Sequence, residues 1–186
     1  GMVLLKNEHK LLPLKAGSRI ALFGKGSFDY VKGGGGSGDV TVSYVHNLYD
    51  GFQMLHDAVS LYEPLCDFYR ANVNEQYDQG SVPGMTTEPA LSAGLLAGAS
   101  AYTDTAVIVL SRFSGEGWDR SSIEYNGEYN PWETETSMPK ISGEIFPDGD
   151  FYLTKEESAM IAQVKQHFSR IAVVLNIGGI IDTSWI

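Results

Sequence analysis

Glu116 is the side chain of this sequence best placed for acid–base chemistry. It lies in Ser114-Gly-Glu-Gly-Trp-Asp-Arg120, directly after the apolar run Thr105-Ala-Val-Ile-Val-Leu110. Glycine on either side lets the backbone enter a cleft, and the nearby Trp118 would exclude water and raise the carboxyl pKa. A carboxylic acid kept protonated near neutrality can donate to a leaving oxygen. The same residues admit a plainer arrangement, in which Glu116, Asp119, Arg112 and Arg120 form an ion-pair network that only fastens the loop. Residue types alone leave both readings open.

A second loop, Lys32-Gly-Gly-Gly-Gly-Ser-Gly-Asp-Val40, follows the apolar stretch Ile20-Ala-Leu-Phe23. If the two strands are parallel, both loops leave the same sheet edge, where open α/β sheets hold their chemistry. Gly33, Gly35 and Gly38 satisfy G-x-G-x-x-G, but a dinucleotide fingerprint sits at the strand-to-helix turn, and this one begins ten residues after Phe23. A phosphate loop would need Gly-Lys-[Ser/Thr], whereas Lys32 precedes the glycines. The run supplies backbone able to take positive φ and approach a ligand or another domain; a flexible surface loop is the plain alternative. Neither Ser37 nor Ser114 fits a G-x-S-x-G nucleophile frame, because Asp39 and Arg112 stand where glycine is required. The histidines at 9, 46, 56 and 167 show no metal-ligand spacing, and with Cys66 the only cysteine no zinc site is expected. No metal and no cofactor are predicted.

The elements that would carry these loops are legible in outline. Arg19 to Phe23 reads as a strand buried on both faces, as do Thr105 to Leu110 and Ile171 to Asn176. Val45, Leu48, Tyr49, Phe52 and Leu55 fall at helical spacing, and so do Leu61, Leu65, Phe68, Tyr69, Val73 and Tyr77, stopped by Gln79-Gly-Ser-Val-Pro-Gly84. Leu91 to Tyr102 is a third helix that depends on packing, since Gly94 and Gly98 each cost about 1 kcal/mol. Thr154-Lys-Glu-Glu157 is a capping box that starts a fourth. Between Leu110 and Asp150 lies a long segment carrying Trp118, Tyr125 and Trp132, of the kind that is usually functional. The alternation predicts an α/β fold, a three-layer sandwich with a mostly parallel sheet and helices on both faces. Ile180 to Ile186 lacks a polar tail, so the sheet is expected to be truncated at its C-terminal end and its open edge to favour self-association.

At 186 residues the chain is expected to form one domain, residues 1–186. A formal charge of -10 with only 13 Lys and Arg argues against a nucleic-acid surface. No stretch approaches the roughly 20 apolar residues that span a bilayer, so no membrane partner is expected. Cys66, between Leu65 and Phe68, reads as a packed thiol, and with no leader-like start a reducing, cytoplasmic setting is expected.

Six segments in order resemble the α/β sandwich (C-terminal-type) domain of the glycoside hydrolase family 3 β-glucosidases. They are Met2-Val-Leu-Leu-Lys-Asn-Glu8 with Leu12-Pro-Leu14, Ile20-Ala-Leu-Phe-Gly24, Lys32 to Val40, Arg112 to Arg120, Gly149-Asp-Phe-Tyr-Leu153, and Val174-Leu-Asn-Ile-Gly-Gly179. The resemblance implies a fragment of a retaining β-glycosidase whose catalytic aspartate comes from a (β/α)8 barrel of the same parent polypeptide. It assigns Glu116 as general acid/base, Ser37 as a hydrogen-bond donor to the carbohydrate substrate and Trp118 as an aromatic wall. Without the barrel's nucleophile, the isolated chain is expected to hydrolyse no glycoside. Two other readings remain: a docking module that retains the fold without catalysis, and a nucleotide-binding α/β domain.

Overall fold

The computed structural model describes residues 1–8, 10–34, 40–113, 115 and 138–186, and of residues 138–141 the backbone alone. Four strands, β1 (Ser18–Phe23), β2 (Val59–Leu61), β3 (Thr105–Arg112) and β4 (Arg170–Ile177), form one sheet in the order β2-β1-β3-β4. Every pairing is parallel, with Phe23 opposite Ile108 and Val107 opposite Ala172. The five helices of the described residues are α1 (Leu48–Gln53), α2 (Glu63–Asp78), α3 (Ala93–Tyr102), α4 (Met138–Ile145) and α5 (Lys155–His167).

The continuous apolar runs of β1 and β3 follow from cover on both faces. On one face Ala21, Phe23, Ala106, Ile108 and Leu110 pack against Leu65 and Tyr69 of α2, Leu96 and Ala99 of α3, and Met160, Ile161 and Val164 of α5. Phe168 closes that layer edge-on to Phe23, with ring centroids 5.2 Å apart. On the other face Ile20, Leu22, Val107 and Val109 join Val59, Leu61 and Cys66, with Leu48, Tyr49 and Phe52 of α1 resting on them. Each fully buried Val, Leu, Ile, Phe or Met among them contributes about 1.5–3 kcal/mol. The architecture is therefore the expected α/β sandwich, helices on both faces of a parallel sheet. β4 lies at the sheet edge, and its residues from Ile171 onward are only half-buried.

Local chemistry sets the helix starts. Thr154 and Glu157 exchange side-chain and backbone hydrogen bonds in the predicted capping box of α5, and Asn47 and Asp50 do the same for α1. α2 begins with Pro64 in its first turn, so Leu61, expected on that helix, instead ends the short strand β2. α1 stops at Gln53, short of Leu55, and Val45 precedes it. The long segment after β3 contains α4, which periodicity had not indicated.

Candidate active site

Because β1 and β3 are parallel neighbours, the segments leaving their carboxyl ends start side by side. β1 runs into Gly24, at φ +94, where a Cβ would stand 2.2 Å from the carbonyl oxygen of Val109; only glycine lets the chain turn across the end of β3. A single 3-10 turn, Lys25–Ser27, then leads to Asp29 and on to Val31. Phe113, which follows β3, reaches the same place. The two meet across Gly84, at φ +86, whose added Cβ would lie 3.1 Å from both Val31 Cγ2 and Phe113 Cβ.

Gly84 is itself held by buried charge. Its N–H donates to Asp29 Oδ1, and its carbonyl accepts from Lys25 Nζ at 3.2 Å. Lys25 Nζ also donates to Asp29 Oδ2 at 2.9 Å, and both side chains are almost wholly buried. Thr86 donates to Asp29 through its N–H and its hydroxyl, and the Tyr77 hydroxyl does so at 2.6 Å. Burial alone would raise the Asp29 carboxyl; the Lys25 ammonium, with the Thr86, Tyr77 and Gly84 donors, outweighs it and holds the group at about 2. Asp29 is therefore a structural carboxylate at any physiological pH, and the paired, hydrogen-bonded ion makes the floor of the site rigid.

Strand β4 grips the first loop from the other side. The Asn176 side chain accepts from the Val31 N–H at 2.7 Å and donates to the Val31 carbonyl at 3.1 Å. One residue on, Lys32 Nζ donates to the Val40 carbonyl at 2.6 Å, which draws together the two ends of the glycine-rich stretch. Ser37, Glu116 and Trp118 lie outside the described residues, as do Asp119 and Arg120. The structure thus brings together the starts of their two loops.

Arg112, the last residue of β3, is 1% exposed. Its guanidinium takes both carboxylate oxygens of Glu157, at 2.7 and 2.6 Å, and donates to the carbonyls of Ser111, Asp150 and Tyr152. Phe146 stacks on it, with the guanidinium carbon 4.4 Å from the ring centroid. A fork that fixes the strand end to the N-terminus of α5 sets where the following loop begins. Arg112 thus pairs with Glu157 of the helix; Glu116, Asp119 and Arg120, the other members of the network considered for the loop, lie outside the described residues.

Glu88 is a second buried carboxyl, accepting from the Lys25 N–H and the Tyr69 hydroxyl, each at 2.8 Å. It borders a cleft of about 480 Å³ formed with Phe146, Leu153 and Thr154. Burial pushes it up to about 7 against those two donors; Glu157 adds to the rise and Lys25 opposes it. A carboxyl raised from 4.5 to about 7 by folding favours the native state most below pH 4.5, and loses about 3 kcal/mol of that advantage as pH climbs through 7. Asp29 acts in the opposite sense, its contribution being present above about 3.8 and lost as pH falls through 2. Glu88→Gln should therefore flatten the stability profile between about pH 4.5 and 7, measured by urea midpoints. An unchanged slope in that range would show that Glu88 is ionised throughout.

The brace of Lys25, Asp29, Gly84, Glu88 and Asn176 was not singled out from sequence. Its three parts, Lys25 with Asp29, Gly84 with Glu88, and Asn176, are far apart along the chain, and the one available signal was polar residues at the ends of apolar strand runs. Cys66 is packed as expected, its thiol pushed up to about 12 by burial and so unreactive. Helix α1, the first after the glycine run among the described residues, starts at Leu48 and is capped by Asn47 with Asp50 in its first turn, a carboxylate where a phosphate would have to sit. Among the described residues no group of three or more His, Cys, Asp or Glu could hold a metal ion, and no helix is long and apolar enough to cross a membrane.

Residues 2–186 match the family model for the glycosyl hydrolase family 3 C-terminal domain. Over 185 residues the chain is 51% identical to β-glucosidase A of Butyrivibrio fibrisolvens, covering 100% of this chain and 22% of that protein. It is 30% identical to a β-glucosidase of Ruminococcus albus, covering 100% of this chain and 17% of the relative. Among solved structures, a β-glucosidase of Paenibacillus barengoltzii superposes with a TM-score of 0.75 at 29% identity, over 99% of this chain and 18% of that one. β-Glucosidase 3B of Thermotoga neapolitana, solved with α-D-glucose, gives 0.75 at 30%, over 97% and 23%. The chain thus spans about a fifth of the length of these relatives.

Proposed function

The chain belongs to the glycosyl hydrolase family 3 C-terminal domains, and on that footing we propose that it is the part of a retaining β-glycosidase that brings the general acid/base to a shared site. Glu116 is the acid/base, and Ser37 and Trp118 contact the sugar. A (β/α)8 barrel of the parent polypeptide supplies the nucleophilic aspartate, with the two carboxyl groups about 5 Å apart. In the first half-reaction the aspartate attacks the anomeric carbon while Glu116 protonates the departing oxygen. In the second, Glu116 as carboxylate takes a proton from water, which displaces the aspartate and leaves the sugar with its original configuration.

The observation that carries this reading is the meeting of Val31 and Phe113 across Gly84, which starts the Lys32 to Val40 and Ser114 to Arg120 loops at adjacent points of one sheet edge. Exposed apolar side chains just past the first loop, Val40, Val42, Tyr44 and Val45, support a surface that another part of the parent polypeptide covers. The isolated chain, lacking a nucleophile, hydrolyses no glycoside.

The test is chemical rescue in the parent polypeptide. Glu116→Ala should release a dinitrophenyl β-glucoside's sugar slowly from the covalent intermediate, because water has lost its base. Azide needs no base, so it should restore turnover and yield the β-glucosyl azide. Absence of rescue, or an α-configured azide, would overturn the assignment.

A further inference from the structure

The side chain of Asn176 makes a two-point contact that the strand ladder does not require. Its register partner on β3 is Ser111, so its backbone is already placed by the sheet. The carboxamide instead reaches out of the sheet and satisfies both the N–H and the carbonyl of Val31, at 2.7 and 3.1 Å. A primary amide presents one acceptor and one donor side by side, the complement of a single residue's backbone. Aspartate offers no donor and alanine neither group. The Val31 side chain, in turn, faces Gly84, which Asp29 and Lys25 fix. Val31 is thus held through backbone and side chain at the base of the glycine-rich loop, and Lys32 ties to Val40 where the chain returns.

From this geometry we infer that Asn176 is a positioning residue for substrate binding: it fixes Val31, the root from which the proposed sugar-contacting segment departs, without touching the reacting atoms. The inference rests on the reading of that loop as sugar-contacting. A backbone gripped at one residue by two hydrogen bonds transmits a fixed starting direction to the chain beyond it. A stretch with glycine at five of its nine positions has few side chains to impose one of its own. Loss of the clamp frees the root at Val31, and the cost falls on ground-state and transition-state binding alike. KM rises while kcat holds.

The test has two parts. In the chain itself, Asn176→Ala should speed amide hydrogen exchange at Val31 and Lys32 by about tenfold or more, while the Phe23 and Ile108 amides stay protected. In the parent polypeptide, Asn176→Ala should raise KM for a β-glucoside about tenfold, with kcat within about twofold and the dependence on leaving group unchanged. Asn176→Asp, which keeps the acceptor but turns a carboxylate oxygen toward the Val31 carbonyl, should lose at least as much as Asn176→Ala on both measurements. If Asn176→Ala fails to fold, the Asp variant decides by the same two measurements. Accelerated exchange with an unchanged KM would overturn the positioning role, as would unchanged exchange. A purely structural role would lower the melting temperature and leave KM and kcat per folded molecule where they were. Failure of azide rescue at Glu116 would sink the reading of the site separately, because Val31 exchange reports on the clamp without any turnover.

Discussion

Glu116→Gln in the parent polypeptide should lower kcat/KM for a β-linked disaccharide by roughly 10²–10⁴-fold, while kcat/KM for a dinitrophenyl β-glucoside falls by less than about tenfold. The difference comes from the leaving group. An alkoxide cannot depart without a proton, whereas dinitrophenolate is stable as it stands. Because kcat/KM reports the steps through formation of the covalent intermediate, the aryl substrate bypasses the missing acid. Its kcat should still drop, since the second step has lost its base. The intermediate then accumulates, KM falls with kcat, and a burst of dinitrophenolate precedes the steady state. Equal losses in kcat/KM on both substrates, or no burst, would mean that Glu116 holds the loop and does not move protons.

The second large effect is on stability. Arg112→Met should cost about 3–5 kcal/mol in urea unfolding, because it leaves the Glu157 carboxylate, 2% exposed, without its counter-ion. Methionine fills part of the volume but cannot answer the carbonyls of Asp150 and Tyr152, to which Arg112 donates. The double change Arg112→Met/Glu157→Met should be less destabilising than Arg112→Met alone, since the uncompensated charge goes with it, despite the loss of the Thr154 capping box. A double variant that loses the sum of the two single costs would show that the pair is not coupled. Arg112 would then be a donor to carbonyls first and an ion-pair partner second.

The strands β1, β3 and β4 were legible because each is an uninterrupted apolar run, and the Thr154 to Glu157 spacing announced α5. Leu61 was misplaced because Val59-Ser-Leu61 is too short to impose its own period and merges with the stripe of α2; Pro64 was the marker that separates them. α4 carries Pro139 and Gly143 within eight residues, which hides it in a segment that reads as loop. For the candidate site, chain order and strand type were enough to place both loops on one edge. What holds those loops was not readable. Asp29 and Gly84, or Val31 and Asn176, come together only once the sheet order is known, and a hydrogen bond across such separations leaves no periodic trace. Arg112 was noticed as a charge beside the loop, but its partner on α5 is a consequence of the fold.

Gly84 has a consequence for anyone reshaping this site. Its backbone is the shared abutment of the Val31 and Phe113 side chains, so the two loops do not have independent foundations. A graft that brings a bulkier residue to position 31 or 113 would crowd the side chain at the other position. On the proposed reading of both loops as sugar-contacting, specificity should therefore exchange as a set: both loops, the glycine between them, and the asparagine that anchors the first.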